Sequence, residues 1–238
     1  MLVDLVEALA PGRVLDLGCG GGGDALWLAQ PGWTVLTVDV SATALARVTD
    51  RATGAGLSDR VRTERHDLTA TFPHGEVDVI SAQYLLSPVE FDRPPMFARA
   101  AAVVRAGGML LIVDHASVPP WSWADPDTVF PTPEQTLGSI GLDPQLWDTV
   151  RLENHDRVAD GPDDQRATVT DTIIAITRGP AASSAPQATA TGENAAVDPR
   201  RWWAVVGGGA AATLMVVLDT SIINLALLKA PSRARDER

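Results

Sequence analysis

Val14-Leu15-Asp16-Leu17-Gly18-Cys19-Gly20-Gly21-Gly22-Gly23 is the stretch on which the reading of this chain turns. Apolar residues around a single acid form a buried strand, which runs straight into a turn made almost wholly of glycine. Residues 24–30, Asp-Ala-Leu-Trp-Leu-Ala-Gln, then open a helix. A strand, a tight glycine turn and a helix N-terminus together bring backbone N–H groups close to a nucleotide. Glycine suits such a turn because it reaches positive φ at little cost and presents no Cβ to the ligand.

Working outward, residues 2–9 read as the end of an amphipathic helix stopped by Pro11-Gly12, and Arg13–Leu17 as the first strand. Residues 33–39 form a second, β-branched run ending in an acid, and Ser41 is placed to cap a helix over 42–55. Short strands follow at 61–65 and 77–82, with a helix over 95–105 capped by Ala106-Gly107-Gly108. Residues 109–114, Met-Leu-Leu-Ile-Val-Asp, are the most apolar run of this half and predict a central strand. Strands alternating with helices predict a parallel sheet covered on both faces, and the near-continuous apolar runs agree. Beyond residue 116 the pattern changes. A loop with Trp121 and Trp123 leads to a helix over 133–140, and strands at 149–154 and 169–178 flank the turn Asp160-Gly161-Pro162-Asp163. That pair predicts an antiparallel hairpin closing the sheet.

Composition narrows the function. A net charge of −11 and a single cysteine among 238 residues disfavour nucleic acid as a partner, exclude an internal disulfide and fit a reducing, cytoplasmic location. The charge is uneven: residues 199–238 carry six basic and three acidic side chains, so the acid excess lies in the first 198 residues.

Four features converge at the carboxyl ends of the first four strands, where open α/β sheets bind ligands. They are the glycine turn, Asp39, Asp67, and the exit Ser81-Ala82-Gln83-Tyr84. Asp39 can accept bonds from both hydroxyls of a ribose, since a carboxylate is acceptor-only, and Asp67 can accept one from an exocyclic amine. Capping and turn roles are the alternatives for both acids. Gly18-x-Gly20-x-x-Gly23 with Asp39 downstream also satisfies the dinucleotide fingerprint, which keeps an NAD(P)-dependent Rossmann oxidoreductase open. Asp16 argues for another ligand, because a carboxylate before the turn repels a pyrophosphate and attracts a cationic amino group.

Asp16-Leu-Gly18-Cys-Gly20-Gly-Gly22 resembles the first motif of the class I S-adenosylmethionine-dependent methyltransferases. Asp39, His66-Asp67, the 77–84 strand exit and Gly107-Gly108 fall where that family keeps its later motifs. The turn at 161–163 and the last strand are similar to small members of the tellurite-resistance and thiopurine-like branch. The resemblance covers residues 1–178. It implies an α/β, doubly wound, mostly parallel seven-stranded Rossmann-like sheet with an antiparallel C-terminal hairpin. It implies S-adenosylmethionine as cofactor and methyl transfer to a small-molecule acceptor by in-line displacement, with a catalytically degenerate cofactor-binding module as another outcome. Asp16, Gly18, Cys19, Gly20 and Gly22 would hold the methionine part, Asp39 and Val40 the ribose, and Asp67 with Leu68 the adenine. Ser81 and Gln83 would line the sulfonium side. A general base is optional in such a transfer; His115, with Asp114 beside it, is the candidate. Trp121, Trp123 and Trp147 would wall an apolar acceptor pocket or else pack the loop. Members of the family usually carry a longer segment before the first strand that helps to cover the cofactor, so an open site is expected here.

Residues 179–199 are rich in Ala, Ser, Thr, Pro and Gln and read as a disordered linker. Residues 202–228 read as a separate C-terminal hydrophobic helix with Asp219 as its only charge, preceded by Arg200-Arg201 and anchored by Trp202 and Trp203. The run Leu214-Met-Val-Val-Leu-Asp219-Thr-Ser-Ile-Ile-Asn224-Leu-Ala-Leu resembles the first transmembrane helix of the fourteen-helix drug–proton antiporters of the major facilitator superfamily. Two expectations follow: a tether to the inner face of a membrane, or a fusion remnant. Transport is not expected, because the sequence ends ten residues later.

Overall fold

The computed structural model describes residues 2–85 and 91–180. The expected C-terminal segment at 200–238, and all but the first two residues of the expected linker, lie outside them. Among the described residues no helix is long and apolar enough to cross a membrane.

Seven strands form one sheet: β1 (Arg13–Leu17), β2 (Thr34–Asp39), β3 (Val61–Arg65), β4 (Val77–Gln83), β5 (Val104–His115), β6 (Trp147–Asp160) and β7 (Arg166–Arg178). Their spatial order is β3-β2-β1-β4-β5-β7-β6. The first five are parallel; β7 enters antiparallel between β5 and β6. This is the mostly parallel, doubly wound sheet with a C-terminal hairpin that the sequence predicts. The order of strands reverses at β1–β4, and the crevice beyond the carboxyl ends there is the ligand position of open α/β sheets.

Helices cover both faces. On one, α1 (Leu2–Val6), α2 (Gly23–Ala29) and α3 (Ala42–Gly54) pack Val6, Leu28 and Val48 against Val14, Val35, Val79 and Val113. On the other, α4 (Arg93–Ala102) and α5 (Pro133–Ile140) pack Met96, Phe97 and Ile140 against Leu15, Ile80, Leu110 and Ile174. Each fully buried Leu, Ile or Phe contributes on the order of 1.5–3 kcal/mol, so the two apolar layers fix the register of every strand between them.

Several boundaries differ from the sequence reading. Helix α4 ends at Ala102, and β5 starts at Val104 rather than at Met109. The chain turns directly into the sheet there and absorbs Gly107-Gly108 as an irregularity, with Val77 facing Val104 and Val79 facing Met109. Strand β6 spans 14 residues rather than six, and with β7 it projects beyond the end of β5. Helix α1 ends at Val6, short of residue 9.

Candidate active site

Alternate residues of a strand share a face. At the carboxyl ends, on the face covered by α1–α3, the apolar layer gives way to a row of polar side chains. Asp16 lies in register between Thr37 of β2 and Ser81 of β4; further along, His115 of β5 faces Asp171 of β7. The row therefore runs from the glycine turn to the hairpin.

At its first end, the turn alternates positive-φ glycines: Gly18 at 74°, Gly20 at 48° and Gly22 at 73°. A Cβ on Gly18 would strike Leu85, and one on Gly22 would come within 2.6 Å of Val48 Cγ2, so both backbone angle and space require glycine. The Gly18 and Cys19 N–H groups donate to Val38 O at 2.9 and 3.2 Å, tying the turn to β2. Asp39 completes the tie. Its Oδ2 accepts from Gly20 N at 3.2 Å and its Oδ1 from Ser41 N at 2.8 Å, while Ser41 Oγ caps α3 by accepting from Ala44 N at 3.2 Å. Each carboxylate oxygen keeps a lone pair for a ribose hydroxyl. Val40, beside it, is 59% exposed at the rim, and its carbonyl accepts from Arg65 Nε at 2.9 Å.

Asp16 is buried and accepts from Thr37 Oγ1 at 2.9 Å. Burial, reinforced by the nearby Asp24 and Asp39 carboxylates and opposed by the Thr37 bond, pushes its pKa up to about 7. Asp24 is raised as well, chiefly by burial. Cys19 lies 4.0 Å from Asp39 Oδ2, and burial pushes its thiol up to about 12, so it serves as a small neutral turn residue and not as a nucleophile.

Asp67, two residues beyond β3, opens an Asx turn, with Oδ1 accepting from Thr69 N at 3.0 Å and Thr69 Oγ1 at 2.6 Å; these bonds hold its pKa below the usual range. Asp67 is exposed, and neither of these bonds uses its Oδ2. The Leu68 side chain is in the core and its carbonyl is taken by Arg99, which leaves its N–H as the group it can offer. Ser81 is fully buried, and its Oγ accepts from Gln83 Nε2 at 3.1 Å.

The other end of the row is a network that the sequence reading did not assemble. Asp171, fully buried, accepts at Oδ2 from Tyr84 OH at 2.8 Å and Arg157 Nε at 2.5 Å, and His115 Nδ1 lies 3.5 Å from Oδ1. The Tyr84 ring stacks on His115 with centroids 4.4 Å apart. Burial alone would raise the Asp171 carboxyl, but the bonds from His115, Arg157 and Tyr84 outweigh it and hold the pKa below the usual value. The carboxylate that faces His115 is thus Asp171 and not Asp114. Neighbours along a strand point to opposite faces, and Asp114 lies on the α4 side, where Arg93 Nη2 donates to both of its oxygens at 2.8 and 2.7 Å.

The three tryptophans part company. Trp121 sits over Gly161 at the hairpin turn, Trp123 is 88% exposed, and Trp147 starts β6 at the opposite end of the sheet. Trp147 lines an apolar cavity of about 300 Å³ with Leu137, Leu142, Leu152 and Ile176, away from the crevice.

Strand order, the left-handed glycine cradle and the acids around it define a Rossmann-like methyltransferase fold. Residues 14–108 match the family model described as a methyltransferase domain. The chain is 33% identical over 123 residues to ribosomal RNA small subunit methyltransferase C of Alcanivorax borkumensis, covering 48% of this chain and 36% of that protein. It is 33% identical over 120 residues to 27-O-demethylrifamycin SV methyltransferase of Amycolatopsis mediterranei, covering 50% and 44%. The chain thus spans less than half the length of these curated relatives. Among solved structures, TehB from Haemophilus influenzae superposes with a TM-score of 0.60 at 20% identity, covering 74% of this chain and 60% of that one, a likeness of fold.

Proposed function

We propose that the chain transfers a methyl group from S-adenosylmethionine to a small-molecule acceptor. The observation that carries this reading is the buried Asp16 carboxylate, its pKa raised to about 7, at the foot of a turn whose Gly18, Gly20 and Gly22 hold positive φ and leave no room for a Cβ at Gly18 and Gly22. A dinucleotide would bring its pyrophosphate to that turn, against Asp16, Asp24 and Asp39 together. A cofactor with a cationic amino group and a sulfonium satisfies the same acids. The antiparallel β7 between β5 and β6 likewise departs from the all-parallel dinucleotide-binding order.

In this reading Asp16 pairs with the amino group, the N–H groups of the glycine turn with the carboxylate, Asp39 with the ribose hydroxyls, and the Asp67 turn with the Leu68 N–H with the adenine. When bound, the cofactor supplies an electrophilic methyl carbon on a cationic sulfur. The protein's contribution is then chiefly to hold an acceptor in line and close, an effect worth up to about 7–11 kcal/mol. A net charge of −11 supports a small molecule over a polyanion as acceptor. The turn at 161–163 and the last strand, similar to small members of the tellurite-resistance and thiopurine-like branch, support the same class of acceptor.

Isothermal titration with S-adenosylmethionine, S-adenosylhomocysteine and NAD tests the reading. Binding of the first two without NAD is expected, and NAD binding alone overturns it. Cofactor binding with no S-adenosylhomocysteine formed across acceptors marks a binding module without catalysis.

A further inference from the structure

We propose that Arg99 of α4 is a positioning residue for the cofactor's purine: it holds the turn after β3 so that Asp67 and Leu68 select a 6-aminopurine over a 6-oxopurine. The proposal rests on the methyltransferase reading above and adds to it a residue that touches no ligand. Adenine presents a donor, its exocyclic amine, beside an acceptor, ring N1. A 6-oxopurine presents the reverse, a carbonyl oxygen beside an N–H. A carboxylate oxygen and a backbone N–H in that order fit the first pair and oppose the second, provided that their spacing is fixed.

Three observations converge on Arg99. Within the turn, the Asp67 carbonyl accepts from Ala70 N at 2.9 Å and Thr71 N at 2.7 Å, which leaves the carbonyls of Leu68 and Thr69. Arg99 Nη2 donates to both, to Thr69 O at 3.3 Å. Its guanidinium carbon also lies 5.8 Å from the centroid of the Phe72 ring, within cation–π range, so one side chain grips the turn at both ends. Arg99 is itself well placed: it stands in the last turn of α4, where a cation complements the helix C-terminus, next to the apolar layer that buries Leu68, Met96 and Ala100. Finally, no bond among the described residues uses the Leu68 N–H or Asp67 Oδ2. Those are the two groups that the reading above assigns to adenine.

Every carbonyl from Asp67 to Thr69 is thus spent on holding the turn, and the unspent pair is one acceptor and one donor. An ionised Asp67 can only accept, and that opposes a carbonyl oxygen set against it. The Thr69 bonds keep the Asp67 carboxyl below its ordinary range, and the Arg99 charge adds to them. Arg99 therefore acts twice, by fixing the Leu68 and Thr69 peptides and by favouring the charged form of Asp67. A planar guanidinium suits this role, because its fork can meet backbone carbonyls while its face lies over a ring. Without it those peptides are free to turn, and the spacing between acceptor and donor is no longer set.

The test uses the full chain with S-adenosylhomocysteine and S-inosylhomocysteine, which differ in carrying an amine or a carbonyl at the purine 6-position. Titration calorimetry of the wild type should favour the first by about 10–100-fold. In R99M that preference should shrink to about threefold or less, through weaker binding of S-adenosylhomocysteine. A role confined to stability lowers both affinities together, so a full preference in folded R99M overturns the proposal, as does a wild type that binds both ligands equally. R99Q keeps the reach and a donor but not the charge, and it serves where R99M does not fold. Its preference should fall by about threefold or more, and a wild-type preference there overturns the assignment. Amide hydrogen exchange without any ligand reads the turn itself. Ala70 and Thr71 should exchange about tenfold faster in the variant, with the amides of β1 and β4 unchanged, and equal protection of the turn sinks the proposal. A wild type that binds neither ligand sinks the methyltransferase reading, and the purine selection with it, whatever the exchange shows.

Discussion

Asp16 is pulled two ways. Its position at the end of β1 buries it among other acids, and that burial raises its pKa from 3.8 to about 7. Because the folded-state value lies above the unfolded one, the associated stability is fully present below about pH 4. It is lost progressively as pH rises to 7. D16N removes the loss, so it should raise the melting temperature of the ligand-free protein at pH 8 and change it little at pH 4. For the cofactor the sign reverses. A cationic amino group needs the ionised carboxylate, so affinity should increase as pH rises through 7. Titration near pH 7 in buffers of different ionisation enthalpy should show proton release. D16N should lower affinity about 10–100-fold, the worth of a hydrogen bond to a charged group. An affinity flat from pH 6 to 8 contradicts the assignment. At this scale the sequence was a good guide wherever function is local. Asp16, the glycines and Asp39 lie within one βαβ unit, and their spacing alone places them together. Asp171 and Arg157 escaped, because their partners His115 and Tyr84 are more than 50 residues away in sequence. The signal was an acid opening the apolar run Thr172–Ile176, and reading it required knowing that β7 lies beside β5.

Among the elements, strands buried on both faces were legible as continuous apolar runs, whereas β6 was not. It is an edge strand whose exposed half alternates charged and apolar residues, and only its pairing with β7 extends it to Asp160. That projecting hairpin has a consequence for the acceptor side. Ala116 N donates to Thr170 O at 2.9 Å, Thr170 N donates to Ser117 Oγ at 2.7 Å, and Trp121 covers Gly161, so the β5–α5 loop is keyed onto the hairpin. G161V has no room against the indole and should cost about 1–3 kcal/mol, the usual penalty of overpacking. It should expose residues 117–132 to limited proteolysis and lower acceptor turnover, with cofactor affinity within twofold of wild type. Helix α5 offers a control away from the crevice. Thr132 and Gln135 form a reciprocal capping box. T132A should lower stability by about 1 kcal/mol in denaturant titration and leave cofactor affinity and acceptor turnover alone.

For the molecule as a whole, both apolar layers and every candidate site residue lie within residues 2–180. The opposite charge balance and the long apolar run belong to residues after 199. A chain ending at residue 180 keeps every described residue of the cradle, the acids and the hairpin network, so it should bind S-adenosylmethionine within twofold of the full chain and melt within a few degrees of it. The segment's own role is decided by a different measurement. An acid at the centre of a membrane helix costs about 2.5–3.5 kcal/mol, and the uncharged run before Asp219 spans 17 residues, short of the ~20 that cross a bilayer. Those values set spanning near balance and leave the Arg200-Arg201 and Trp202-Trp203 flank to tip it. If the tether operates, the full chain sediments with membranes and the chain ending at 180 stays in the supernatant. Equal partitioning of the two shows that the segment does not anchor.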